Sequence, residues 1–401
     1  GGNLVLENQV NAVPPNVPPD FRLIRADQGR VNINAGGSIS DSFAFTPATP
    51  NPAIASPYVT LFAATGIGAG NDGLSTDTNN LSARVTSGGI VVFDFYETAP
   101  IPMPGTPQET LTVTAANAGT GNVDIRTQKD LATNGNVTTG GGSVTLVAHP
   151  QPAMPPFEAE GRFDQLAGVI AATTTVAITS SNLLTTRAGT TIIAGTNATI
   201  TGLSPANGNV IMSLAGNVSA GGFINVIGGG DNSDPNIVEI SGNFAAGTSI
   251  AILNNLQTTP VPNILSISGN LAAGTTIDLS HASATALTLS LGGKITGGTG
   301  VTVNGSDSGD TIVVQGGGSE LVAATGNVAI NASATATGNA IYSLAGKVVA
   351  LGGNVAITGT SAAGTGSNSI VISGLVSASA LVNIGAVSTG NVTIVVPGTL
   401  T

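Results

Sequence analysis

The chain has 401 residues, 56 of them glycine, with 8% charged and 3% aromatic residues, a net charge of −11 and no cysteine. Glycine stands at about twice its usual ~7% share, and charge and aromatics lie far below those of an ordinary soluble enzyme. The 41% apolar content excludes a disordered linker, and the acidic balance leaves no basic patch for nucleic acid.

No run of ~18 apolar residues marks a membrane span. Gly, Thr, Asn, Ser and Val form helices poorly, so the expected class is all-β with many turns. The chain opens on Gly1-Gly2 without an initiator Met, which reads as a processed form. "NLVLENQV" predicts one strand carrying Leu4, Val5, Leu6 and Val10. "NAVPPNVPPDFRLIRADQGR" follows, Pro-rich and then charged, with Arg22, Arg25 and Arg30 interleaved with Asp20 and Asp27. A Pro-rich stretch reaches outward instead of folding into a core. Residues 1–30 therefore read as an extended N-terminal arm, either loosely attached or reaching a neighbouring subunit.

Residues 31–108 read as an irregular β-rich section. "GAGNDG" (Gly68 to Gly73) fits G-x-G-x-x-G, but a dinucleotide site needs a helix to follow, and none is expected here. The longer stretch "TGIGAGNDGLSTDTNNLSARVTSGGIVVFD" resembles a recurring element of filamentous-haemagglutinin-like bacterial surface proteins. The matching positions are Gly66, Ile67, Gly68, Asn71, Leu74, Leu81, Ala83, Gly89 and Ile90. That resemblance implies an extracellular right-handed β-helix with an adhesive or structural role. The family's secretion domain, with its Asn-Pro-Asn motifs, has no counterpart in this sequence.

Residues 109–401 read as a β-solenoid rod. "LTVTAANAGTGNVDIRTQ" and "GNVTTGGGSVTLVA" look like coils. A Pro-rich excursion over 149–168 interrupts them, because its prolines cannot donate to a ladder. Then one line recurs: "IVEISGNFAAGTSIAI" from Ile237 and "ILSISGNLAAGTTIDL" from Ile264 are near copies. Aligned on the glycine after the first apolar run, the lines are anchored at Gly216, Gly242, Gly269, Gly293, one of Gly316–Gly318, Gly346, Gly374 and Gly398. The first and last anchors are 182 residues apart over seven steps, an average of 26. Within a line apolar residues alternate, Leu265, Ile267, Ile277 and Leu279 inward against Ser266, Ser268, Thr276 and Asp278 outward, the period of a strand. Short strands repeated every 20–30 residues define a parallel β-helix, with Gly and Asn at corners where positive φ is tolerated. A β-sandwich is the alternative, disfavoured by the small core residues and regular spacing.

Chemistry is sparse. Calcium candidates are Asp231 and Asp234 in "GGGDNSDPN", and Asp307 and Asp310 in "NGSDSGDT" with Glu320 one coil on, weighed against plain solvated turns. No other cofactor is expected. From Ala171 onward no acid and base read as a close pair at equivalent coil positions; such a pairing across neighbouring coils would favour a polysaccharide-active enzyme. The chain stops at "NVTIVVPGTLT", half a coil without a cap, which reads either as a piece of a longer rod or as an end covered by another molecule. The expected function is a non-enzymatic, secreted structural subunit, extracellular or on a bacterial surface, joining copies of itself head to tail. Leu4, Val5, Leu6, Val10, Arg22 and Arg25 would form one side of the joint and Val392, Ile394, Val396 and Leu400 the other. A cell-surface or matrix polysaccharide is a further candidate partner, and the alternatives are a rod segment of a large adhesin whose binding function lies elsewhere, and a polysaccharide-active enzyme.

Overall fold

A computed structural model describes residues 4–6, 24–26, 28–41, 52–68, 73–95, 109–148, 161–204, 210–230, 236–254, 263–283, 286–336, 338–361 and 366–401. Among these the strands pair in parallel and no helix occurs, so none is long and apolar enough to cross a membrane. The fold is a parallel β-solenoid with coils of about 26 residues. Clustering divides it into two compact units, Gly1–Ser181 with Thr190–Gly195, and Asn182–Gly189 with Thr196–Thr401.

In the second unit each coil has three faces. Ile211–Leu214 lies on the first face, Asn217–Ala220 on the second and Ile224–Gly230 on the third. The next coil repeats them as Ile237–Ile240, Phe244–Ala246 and Ile250–Asn254. Ile211, Ile237, Ile264, Thr288, Ile312, Ile341, Ser369 and Thr393 form one register column, with steps of 26, 27, 24, 24, 29, 28 and 24 residues. Leu265, Ile267, Ile277 and Leu279 are buried, as the alternation requires, while Ser266, Ser268, Thr276 and Asp278 face outward. The interior of each coil is packed with Val, Ile, Leu and Ala side chains and a few larger ones such as Phe244 and Tyr342.

The anchor glycines stack at the corner between the first and second faces. A Cβ on Gly242 would collide with the carbonyl oxygen of Gly216, one on Gly269 with that of Gly242, and one on Gly293 with that of Gly269. Gly374 and Gly398 continue the column against Gly346 and Gly374. A second column, Gly221, Gly247, Gly274 and Gly298, occupies the corner between the second and third faces. Positive φ is confined among the described glycines to Gly68, Gly73, Gly88, Gly168 and Gly189. Apart from Gly316–Gly318, where a Cβ would meet nothing closer than 3.7 Å, these corner glycines are required by close approach of successive backbones, not by the left-handed conformation expected from sequence. Beside the first column an amide row runs along the solenoid: Asn243 Nδ2 donates to Asn217 Oδ1 at 3.2 Å and Asn270 Nδ2 to Asn243 Oδ1 at 3.0 Å.

In the first unit, Arg30–Ala35, Tyr58–Ala63, Asn80–Val85 and Thr110–Ala118 stack on one another. The ladder therefore starts upstream of Glu109, where the rod was expected to begin. Ile67, Leu74, Leu81, Ala83 and Ile90, all in the Gly-Ile-Gly element, are buried in it. The third face of the early coils is divided. Ile90–Asp94 pairs at Ile90 with Ile67 and at Val92 to Asp94 with Leu74 to Thr76. Of the expected arm, Leu4–Leu6 pairs with Ser38–Asp41 and Ile24–Arg25 with Ile54–Ala55, so both are rungs of the chain's own ladder. Phe163 is fully buried opposite Leu131, so 161–168 also belongs to a coil, and 149–160 lies outside the described residues.

Candidate functional site

The corner where the third face hands over to the next coil holds several buried polar side chains, with others such as Thr186 and Gln315 at the first corner. In the second unit the third-corner set includes amides. Asn236 Oδ1 accepts the Val210 N–H at 3.1 Å, and Asn263 Oδ1 accepts the Asn236 N–H at 3.1 Å. Asn254 Nδ2 donates to the Ile264 carbonyl at 3.0 Å, and Asn368 Nδ2 to those of Gly359 and Val387 at 3.1 and 2.7 Å. His281, in register with Asn254, is 2% exposed, with Nδ1 3.1 Å from the Asn254 carbonyl oxygen. That acceptor places the proton on Nδ1. Burial pushes its pKa below the usual histidine value, against the opposing pull of the Asn263 and Asn254 carbonyls.

In the first unit the same corner carries charge. Thr76, Asp94 and Thr127 form a register column at the ends of Leu74–Asp77, Ile90–Asp94 and Val123–Thr127. Asp94 is fully buried and accepts from Thr76 Oγ1 at 3.0 Å, the Thr78 N–H at 2.9 Å and Thr127 Oγ1 at 3.1 Å. Lys129, two residues past that column, is fully buried as well. Its Nζ lies 2.6 Å from Asp77 Oδ1, 3.5 Å from Asp94 Oδ2 and 3.4 Å from Glu109 Oε2, and donates to the Thr78 carbonyl at 3.2 Å. Burial raises the Asp94 pKa to about 6, in spite of the Lys129 ammonium and the Thr78 N–H. For Lys129 burial works downward, and the carboxylates of Asp94, Asp77 and Glu109 outweigh it, holding the amine above the ordinary lysine range. One buried cation thus sits among three carboxylates, Asp94 buried with it, the Asp77 side chain 14% exposed and that of Glu109 56% exposed.

The sequence did not single out this cluster, and the residues it did single out stand elsewhere. Asp307 and Asp310 flank one turn. Asp307 Oδ1 accepts the Gly309 N–H at 2.9 Å, and Asp310 Oδ1 accepts the Asn339 N–H at 2.8 Å and its Nδ2 at 2.9 Å. Burial first, and the Asp310 charge after the opposing Gly309 and Ser308 amides, push Asp307 above the usual carboxylate range. Glu320 does not join them. It stands in register between Lys294 and Lys347, with ion pairs at 3.3 and 3.0 Å. The expectation that no acid and base share equivalent coil positions fails here, because the three residues occupy one column of the second face. Both Glu320 oxygens are taken by ammonium groups at an exposed surface, which makes the row an ion-pair stack and not a free acid facing a base. Among the described residues no group of three His, Asp or Glu side chains is placed to hold a metal ion. Asp231, Asp234, Val10 and Arg22 lie outside the described residues.

At the last rung, Val392, Ile394, Val395 and Leu400 are exposed at 46%, 43%, 45% and 45%, with Val396 half-buried. Leu4, Val5 and Leu6 pair with Ile39, Ser40 and Asp41, and the Arg25 backbone pairs with Ala55. Comparison with protein-family models, with curated proteins and with solved structures found no match. What stands of the expected family resemblance is the parallel β-solenoid itself, with no match that assigns the chain to a family.

Proposed function

We propose that the chain is a non-enzymatic structural element of an extracellular or cell-surface protein, in which the solenoid itself is the working part. The observation that supports this best is the unbroken in-register stacking within the second unit, from Ile211 to Thr393, over an interior filled by side chains. A backbone ladder on three faces resists bending and proteolysis, and it needs neither disulfide nor ligand to do so. The outer faces of Thr, Ser and Asn suit a hydrated surface and a polysaccharide neighbour. The Lys294–Glu320–Lys347 row serves surface charge balance. Electron micrographs of the native material test the proposal. Stiff, uniform-width elements agree with it; globular particles that release products from polysaccharides would refute it and restore the enzyme reading.

A second reading follows from the exposed Val392, Ile394, Val395 and Leu400. Head-to-tail stacking of a second copy on that rung, with Leu4–Leu6 as the partner strand, would bury them. Imaging at two dilutions tests this reading. Fibres that shorten on dilution support joining between copies, and single elements at both dilutions sink it.

A further inference from the structure

The Lys129 cluster holds the parts of a covalent bond-forming site, and we propose that Lys129 and Asp77 condense to an intramolecular isopeptide cross-link with Asp94 as the proton carrier. The inference stands apart from the structural role proposed above. Three features of the geometry carry it. First, nucleophile and electrophile are already in contact, since Lys129 Nζ is 2.6 Å from Asp77 Oδ1. Holding reactants at that distance removes most of the entropic barrier to a unimolecular step. Second, Lys129 and Asp94 are fully buried and the Asp77 side chain is 14% exposed, so little water competes. Burying a charge pair is expensive, and condensation replaces it with a neutral amide. Third, Asp94 is fixed by Thr76, Thr78 and Thr127 with Oδ2 3.5 Å from the amine, where it can take and return protons.

The step balances without a co-reactant. The Lys129 ammonium gives one proton to Asp94, which passes it to an Asp77 carboxyl oxygen. The free amine attacks Asp77 Cγ, forming the C–N bond. The protonated oxygen leaves as its C–O bond breaks, taking a second amine proton through Asp94, and departs as water. One proton stays on the amide nitrogen, and Asp94 ends as it began. Asp94 titrates closer to neutrality than an ordinary carboxyl group, which suits it to both transfers. Glu109 lies 3.4 Å from Nζ on the more open side, with a 56% exposed side chain, and keeps the ammonium paired until reaction.

The product would tie Leu74–Asp77 to the strand two rungs on, Val123–Thr127, closing a loop of chain separated by 52 positions in a protein without cysteine. A cross-link there constrains the unfolded chain as a disulfide does.

Intact-mass spectrometry of the denatured full chain tests the proposal. The mass is expected to fall short of the sequence by one water, and fragmentation should recover a branched peptide joining Lys129 to Asp77. Lys129→Arg keeps the cation but cannot condense, so its mass should match its sequence. Asp94→Asn keeps both reacting groups and removes the proton carrier, so it should also keep the full mass. Because either variant can fold poorly, the wild-type measurement decides: a wild-type mass equal to the sequence mass overturns the proposal. A branched peptide at Asp94 or Glu109 overturns the assignment of Asp77.

Discussion

Replacing Gly269 with alanine tests why the corners are glycine. Its new Cβ would fall inside the carbonyl oxygen of Gly242, and the backbone has no room to turn away, because the Gly269 N–H already donates to Ile240 at 3.1 Å. Relief requires the two coils to separate at that corner, an overpacking penalty of ~1–3 kcal/mol. Gly318 is the control. A Cβ there meets nothing within 4 Å, and its φ is not left-handed. Gly318→Ala should therefore stabilise by ~0.4–1 kcal/mol, through the reduced freedom of the unfolded chain. Urea unfolding gives the two signs, and hydrogen exchange locates the damage. In a solenoid, coupling is between nearest neighbours, so protection should fall first in the rungs around Ile237–Ile240 and Asn263–Ile267. If Gly269→Ala stays within ~0.5 kcal/mol of wild type, the close-approach argument is wrong. Equal stabilisation by both substitutions would point back to chain entropy alone.

Three further outcomes follow. Phe244 is 1% exposed and fills the space between neighbouring coils, so Phe244→Ala should cost ~3–5 kcal/mol in the same urea assay; a loss under ~1 kcal/mol would mean the coil collapses around the gap. Asp94 binds its proton more tightly folded, at about 6, than unfolded, at ~3.9, so the folded state holds more protons between those values and stability should decline as pH rises from ~4 through 6, then level off. The shift is worth on the order of 3 kcal/mol, and Asp94→Asn should remove that slope; a slope unchanged in the variant assigns it to another group. His281 is depressed, so the unfolded state protonates first and stability should fall as pH drops below ~6.5, while the imidazole NMR shifts of folded His281 stay constant until a lower pH; titration at an ordinary value would contradict its burial.

The coil period and the inward residues were legible because both rest on local pattern. Strand alternation places Leu265 and Ile267 on one face whatever the wider fold, and the anchor glycines mark each turn. The reason for those glycines was not legible, since the clash that requires them lies between residues 24 to 28 positions apart, such as Gly269 and Gly293 or Gly346 and Gly374. The Lys294–Glu320–Lys347 row was missed in the same way. The spacings from Lys294 to Glu320 and on to Lys347 are near the coil period, but only the register pairs the residues. The Lys129 cluster did leave a signal. Ile90, Val92 and Asp94 share one parity, as do Val123, Ile125, Thr127 and Lys129. Continuing the inward alternation past the apolar residues puts an aspartate and a lysine inside the coil. Of the expected arm, the strand read in "NLVLENQV" is present at Leu4–Leu6, whereas the short strand Ile24–Arg25 carries too few residues to show a period.

Both sets of buried polar groups occupy the third corner for one physical reason. On the other two corners the chain turns within a few residues, and most backbone amides find carbonyls one coil away, as Gly242 N finds Leu214 and Gly247 N finds Ala220, with side chains such as Thr186 and Gln315 covering single groups. At the third corner the number of residues between a third-face strand and the next first-face strand varies from coil to coil, so register alone does not pair every backbone group, and the buried ones must be satisfied. Side chains supply the missing half. Asn236 and Asn263 accept N–H groups, Asn254 and Asn368 cover carbonyls, and in the first unit Asp94 accepts the Thr78 N–H while Lys129 covers the Thr78 carbonyl. The two units differ in how they make the repair. Amides do it without charge, whereas carboxylates and an ammonium do it with a desolvation penalty that amides avoid. Structural repair alone does not favour the charged version, and an isopeptide bond would remove the penalty by consuming the pair that creates it.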